Sequence, residues 1–151
     1  MATMAADPIF IDTNVLVYAS RPTAPHHIGA RAALSRLEAE GCPLWISPQV
    51  LREYLAVVTR AQPAAGSLPM ATAIADVRHF RASFEIAQEG RAVLDRLLEL
   101  LGAHPGSGKQ VHDTNLIATM LEHGVCRLLR FNPADFRRFS GIIDLEPLPA
   151  S

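Results

Sequence analysis

The sequence predicts a single α/β domain spanning 1–151, a three-layer α/β/α sandwich around a mainly parallel sheet. Three observations carry this prediction. Short apolar runs alternate with segments of helical spacing along the chain, and such alternation implies a parallel sheet covered on both faces. The first run, Pro8-Ile9-Phe10-Ile11, is apolar throughout, as suits a strand buried on both sides. Finally, 151 residues of which 49% are hydrophobic are enough for one well-buried core and too few for two.

The elements follow in order. After the first strand, Val15 to Ala19 read as a helical turn, and Arg21-Pro22-Thr23-Ala24-Pro25 as a break. His26 to Glu40 carry Ile28, Ala32, Leu34 and Leu37 among charges, an amphipathic helix closed by Gly41. Cys42 to Ile46 form a second strand. Ser47-Pro48 then starts a helix with a side-chain cap and a proline in the first turn, whose apolar face is Val50, Leu51, Tyr54, Leu55 and Val58. Gln62 to Pro69 is a loop. Met70 to Ala82 and Glu89 to Leu101 have helical spacing, with Phe84 to Ala87 a strand between them and a glycine-rich turn from Gly102 to Gly108. Val111 to His123 form a helix stopped by Gly124, Val125 to Arg130 a strand, Pro133 to Arg138 a short helix, and Ile142 to Leu145 a last strand.

Composition excludes several classes of function. Fourteen basic against fifteen acidic residues give a net charge of −1, so no global polycation announces nucleic acid or an anionic membrane, and any such partner is held by a local patch. Every basic residue except Lys109 is an arginine. Cys42 and Cys126 stand far apart and outside any Cys/His cluster, which argues against zinc and against a disulfide scaffold and fits a reducing cytoplasm. The N-terminus lacks a basic segment, and no uncharged apolar run is long enough to span a bilayer. A soluble protein is expected.

The chemistry concentrates in acidic residues at one predicted edge. Asp12 ends the first strand, where ligands of open α/β sheets bind. A carboxylate in apolar surroundings is costly unless it is paired, hydrogen-bonded or bound to a metal. Asp-Thr-Asn recurs at 113–115, where Asp113 opens a helix and reads either as a helix cap or as a site residue. Glu53 lies at the edge of its helix's buried face and reads either as solvated or as functional. Asn132 follows a strand and precedes a proline, so it suits a turn or cap as well as a site, and Asp135 reads as a first-turn charge. In a parallel sheet all these positions converge on one edge. Oxygen donors of this kind suit Mg²⁺ or Mn²⁺. His112 reads as structural, since adjacent helical residues point about 100° apart. Trp45 and Phe84 read as core.

Four segments, in order, resemble one family. Ile11-Asp12-Thr13-Asn14-Val15-Leu16-Val17-Tyr18-Ala19, Ser47-Pro48-Gln49-Val50-Leu51-Arg52-Glu53-Tyr54, Val111-His112-Asp113-Thr114-Asn115-Leu116-Ile117-Ala118 and Phe131-Asn132-Pro133-Ala134-Asp135-Phe136 are similar to those of PIN domains. In length the chain is similar to the VapC toxins of type II toxin-antitoxin pairs. The resemblance implies an acidic cluster of Asp12, Glu53 and Asp113. The family's fourth acidic position falls on Asn132, with Arg130 where a hydroxyl residue often stands, and Asp135 is the residue that could supply the missing charge.

It also implies an Mg²⁺- or Mn²⁺-dependent endoribonuclease that cuts tRNA, rRNA or mRNA and arrests translation and growth. Asp12 and Asp113 would hold the metal, Glu53 would orient or deprotonate the attacking water, and the products would carry a 5′-phosphate and a 3′-hydroxyl. Thr13 and Asn14 are expected to order the loop and its carboxylate. Candidate RNA contacts are Arg52, Lys109, Arg130, Arg137 and Arg138. The implied partners are a VapB-like antitoxin and a second copy of the chain, with groove walls from the helix after His26 and from the Met70–Phe80 helix. Two alternatives stand beside this expectation: a PIN nuclease of RNA processing without an antitoxin, and a PIN module that has lost catalysis.

Overall fold

The computed structural model describes residues 6–61, 66–131 and 133–147. The predicted loop positions 62–65 and the candidate site residue Asn132 lie outside the described residues. Five strands, β1 (Ile9–Ile11), β2 (Leu44–Ile46), β3 (Glu85–Ile86), β4 (Arg127–Arg130) and β5 (Asp144–Pro147), form one sheet in the order β3-β2-β1-β4-β5. Every pairing is parallel. Six α-helices, α1 (Thr13–Ser20), α2 (His27–Ala39), α3 (Pro48–Thr59), α4 (Met70–Ser83), α5 (Arg91–Ala103) and α6 (Lys109–Glu122), and a 3-10 helix over Pro133–Phe139 complete the described elements.

The strand order fixes the layers. Right-handed crossovers, the rule for parallel strands, put α1 to α4 on one face while the chain steps from β1 to β3. They put α5, α6 and the 3-10 helix on the other face when it returns to β4 and β5. The helix contacts agree, since α1 meets α2 and α3, α3 meets α4, and α5 meets α6. The result is the predicted α/β/α sandwich. Successive strands run outward from β1 in one direction and, after the crossover to β4, in the other, so the topology reverses between β1 and β4. The carboxyl edge of that junction is where such sheets bind ligands.

β1 is the centre of the core, with Ile9, Phe10 and Ile11 wholly buried between β2 and β4. It has no solvent face, which is why its sequence does not alternate. Tyr54, Val58, Leu37, Met120, Phe136 and Phe139 bury the faces of the helices against the same core. No described helix is long and apolar enough to cross a membrane.

Element boundaries differ from expectation where capping or turns decide them. α1 is a full helix from Thr13 rather than a turn from Val15, because the Asp12 carboxylate accepts the Thr13 N–H and starts it at once. α5 begins at Arg91, which leaves Glu89 outside the helix and available to cap α3 through the Gln49 N–H at 2.8 Å. α6 begins at Lys109 after Gly108, whose φ of +57° suits glycine. Asp113 therefore stands a full turn inside α6 and is not its cap. The last strand starts at Asp144 instead of Ile142, since the N–H groups of Ile142 and Ile143 both donate to Phe139 O and form a turn. Trp45 and Phe84 pack half-buried against the core, as expected.

Candidate active site

At the carboxyl edge of the β1–β4 junction lies an open cavity of about 330 Å³ whose lining includes Asp12, Glu53, Asp113, Lys109, Arg60 and Arg130. Each acidic residue arrives from a different element. Asp12 ends β1, its N–H held by Leu129 O of β4 at 3.1 Å. Glu53 comes from the second turn of α3, whose N-terminus is fixed by Ser47 and Pro48. Asp113 comes from the second turn of α6. The structure thus brings together three of the five predicted catalytic residues. Asp135 does not line the cavity but reaches it through Arg130, and Asn132 is outside the described residues.

The polar groups around these acids hold them in place. The Thr13 N–H donates to Asp12 Oδ1 at 2.8 Å, and its hydroxyl donates to Glu53 Oε2 at 2.9 Å. Gln49 Nε2 donates to Glu53 Oε1 at 2.9 Å and to His112 O at 2.9 Å. Asn115 Nδ2 in turn donates to Gln49 Oε1 at 2.7 Å and to Glu89 Oε1 at 2.8 Å. A chain of hydrogen bonds therefore runs Glu89, Asn115, Gln49, Glu53, Thr13. Gln49 is 5% exposed, so the amide that carries the middle of this chain is shielded from competing water. Of these, the sequence reading assigned an ordering role only to Thr13. Gln49 stands one helical turn before Glu53, a spacing that puts the two side chains on one face. Asn115 closes the second Asp-Thr-Asn. Arg60, also in the cavity lining, carries no sequence signal that distinguishes it from other arginines.

Arg130 lies deepest among the predicted cations. It ends β4, is 6% exposed, forms an ion pair with Asp12, and reaches Asp135 Oδ2 at 3.4 Å. Its guanidinium lies 4.3 Å from the centre of the Phe136 ring. Lys109 is exposed and lines the cavity, whereas Arg52 is exposed, lies 3.8 Å from Glu89 and is absent from the cavity lining. Arg137 is exposed on the 3-10 helix. Arg138 donates to Thr114 Oγ1 at 2.9 Å and Gln110 O at 3.1 Å while stacking on Phe139, which ties the 3-10 helix to α6.

Burial dominates the electrostatics of the two central acids. Burial pushes the Asp12 carboxyl above its usual range, against the opposing pull of Arg130 and the Thr13 N–H, and Glu53 and Asp113 push it the same way as burial. Asp113 is likewise raised, by burial first and then by Asp135 and Glu53, against Arg130 and Lys109. Three acids and three cations line the cavity, so it is loss of water around Asp12 and Asp113, ahead of any excess of charge, that raises both carboxyls. Mg²⁺ is characteristically held by one or two carboxylates and otherwise keeps its waters, and Asp12 with Asp113 matches that donor set. Among the described residues no three His, Cys, Asp or Glu side chains stand together so as to hold a metal ion, so a site here would rest on two carboxylates and water.

Comparison with known proteins agrees with this geometry. The fold is similar to that of the VapBC2 complex of Rickettsia felis, solved with a DNA fragment from its promoter, at TM-score 0.68 and 19% identity over 93% of this chain and 98% of that one. It is also similar to VapC20 of Mycobacterium tuberculosis, described as a Sarcin-Ricin loop cleaving toxin, at TM-score 0.66 and 18% identity over 92% and 99% of the two chains. DNA-bound VapBC of Salmonella typhimurium aligns at TM-score 0.67 and 17% identity over 95% and 100%. No curated protein matches the chain in sequence. The family model of the PIN domain matches residues 9–142, a span that contains every element from β1 to the 3-10 helix and all the candidate site residues, so the chain belongs to the PIN-domain family.

Proposed function

We propose that this protein is a divalent-cation-dependent endoribonuclease of the VapC type, the toxin of a toxin-antitoxin pair, which hydrolyses RNA phosphodiester bonds. The observation that carries the reading is the convergence of Asp12, Glu53 and Asp113 on one cavity at the β1–β4 junction of a PIN domain. The similar solved structures support the finer assignment, since they include VapBC complexes and a toxin that cleaves the Sarcin-Ricin loop.

Asp12 and Asp113 would hold Mg²⁺ or Mn²⁺. When bound, the ion supplies Lewis-acid polarisation of the scissile phosphate and lowers the pKa of a neighbouring water. Glu53, with Oε2 fixed by Thr13 and Oε1 by Gln49, keeps lone pairs on both oxygens to orient that water and accept its proton. In-line attack by the water would break the bond from phosphorus to the 3′-oxygen, which takes a proton from solvent, leaving a 5′-phosphate and a 3′-hydroxyl. In this reading Lys109 and Arg60 in the cavity lining, with exposed Arg52 and Arg137 outside it, would attract backbone phosphates. Asp135 would add its charge to the far side of the site through Arg130.

A VapB-like antitoxin, a homodimeric state and a cytoplasmic location belong to the same reading. A second cavity, of about 370 Å³, where Leu16, Leu34, Phe80 and Phe84 stand beside Arg31, Glu38, Asp76 and His79, supports an antitoxin groove of mixed apolar and charged lining between the helices expected to wall it. Ile74, although 38% exposed, stands outside that lining. One observation favours a non-catalytic module: Arg130 already occupies Asp12.

Purified protein incubated with total RNA and Mg²⁺ or Mn²⁺ decides between these readings. The expected result is cleavage with new 5′-phosphate ends, lost with chelator and in Asp113→Asn, together with growth arrest on expression that a co-expressed neighbouring gene relieves. No cleavage and no arrest overturn the nuclease reading. Cleavage without relief by a neighbouring gene points to RNA processing.

A further inference from the structure

Arg130 places a positive charge inside the acidic site. From the end of β4 it donates through Nη1 to Asp12 Oδ2 and through Nη2 to Asp135 Oδ2, and its guanidinium faces the Phe136 ring. The Arg130 and Asp12 side chains are only 7% and 5% exposed, so neither bulk water nor salt weakens the pair as it would a surface contact. Asp12 Oδ1 meanwhile accepts the Thr13 N–H. Both oxygens of the central carboxylate therefore already carry a donor.

We propose that Arg130 is a resident counter-ion which a divalent cation must displace from Asp12, so the site alternates between an arginine-closed form and a metal-loaded form. This rests on the reading that Asp12 and Asp113 take Mg²⁺ or Mn²⁺. Two cations cannot share one buried carboxylate without strong mutual repulsion, so one leaves when the other arrives. Asp135 and Phe136 give the guanidinium a place to go. The Asp135 side chain is 56% exposed, on the solvent side of the pair, and the aromatic face holds a cation by its quadrupole. The arginine can turn from Asp12 toward Asp135 without leaving the site. The charge thus blocks the ion in one position and frees Asp12 for it in the other.

The test reads ion binding without RNA. Mn²⁺ isotherms are measured by calorimetry on wild type, Arg130→Met and Arg130→Lys. Arg130→Met is expected to bind roughly tenfold more tightly or better, and Arg130→Lys, which keeps the charge, close to wild type. Because Arg130→Met strands a buried carboxylate and can lose its fold, a second measurement uses the wild-type protein labelled with ¹⁵N-arginine. The Arg130 Nε–H resonance, identified by its disappearance in Arg130→Lys, is expected to shift on Mg²⁺ addition with the midpoint of Mg²⁺ binding measured by calorimetry. Equal finite Mn²⁺ affinity in wild type and Arg130→Met, or an unmoved Arg130 signal at saturating Mg²⁺, overturns the exchange and leaves the metal site standing. No ion binding by wild type or either variant overturns the metal reading and the exchange with it.

Discussion

Thr13 and Glu53 are joined by a 2.9 Å hydrogen bond from Oγ1 to Oε2, which couples the residue after the β1 carboxylate to the acid presented by α3. The same residue gives its N–H to Asp12, so one threonine sets the positions of two carboxylates from different layers. Thr13→Val keeps the volume and removes the donor. A hydrogen bond to a charged group contributes about 1.5–3 kcal/mol, so kcat is expected to fall about tenfold to hundredfold. Thr13→Ser should retain most of it. RNA cleavage rates at saturating substrate check both.

Gln49 carries the middle of the hydrogen-bond chain that holds Glu53. Gln49→Leu leaves Glu53 Oε1, His112 O and Asn115 Nδ2 each one partner short in a half-buried network, although Asn115 keeps its bond to Glu89. Unmade buried hydrogen bonds cost about 1–3 kcal/mol each, so a clear fall in denaturation midpoint is expected alongside reduced kcat. Gln49→Glu should lose activity as well, because it sets a second carboxylate against Glu53. Urea unfolding and single-turnover cleavage separate the two effects.

Asp113→Asn should separate stability from activity. Burial raises the Asp113 carboxyl above its unfolded value near 3.8. A raised acid binds its proton more tightly in the folded state, so ionisation costs stability at every pH above the folded pKa. That cost fades as pH falls through the raised value toward 3.8. The amide has no charge to desolvate. Asp113→Asn is therefore expected to melt slightly above wild type at neutral pH and to lose this advantage on acidification, while cleaving no RNA. Melting curves across the acidic range, without divalent ions, test the sign.

Asp12→Asn should behave in the opposite way. It removes one counter-ion of buried Arg130, which keeps Asp135 at 3.4 Å, so the loss is expected to stay below about 3–5 kcal/mol, the cost of a buried charge left with no partner. The double variant Asp12→Asn with Arg130→Met should recover a large part of that loss. A double-mutant cycle by urea unfolding measures the coupling.

Much of this arrangement is legible in the sequence because it follows from periodicity and caps. The apolar β1 run, the Ser47-Pro48 start of α3 and Gly108 before α6 each fix a local geometry, and the alternation of elements then brings Asp12, Glu53 and Asp113 to one edge. Where sequence reading stops is also physical. Glu89 reads as a helical residue because nothing local shows that its carboxylate caps another helix 40 residues away. Arg130 reads as a phosphate contact because its burial and its pairing with Asp12, 118 residues distant, arise only from strand order. Gln49 is silent for the same reason: an amide has no fixed partner until Asn115 and His112 arrive from α6.

The pairing of β1 with β4 joins Ile9 to Arg127 and Ile11 to Leu129, the first strand of the sheet to the fourth. During synthesis, then, the catalytic edge cannot exist while the ribosome is still making the helices of either layer. Asp12 and Glu53 emerge early but stay apart from Asp113 and Arg130 until β4 has left the exit tunnel and slotted in beside β1. Closing so long a loop is slow compared with forming local helices. A truncated chain that ends before β4 lacks Arg130 and the partner that β1 needs on that side, so the acidic site cannot assemble in it.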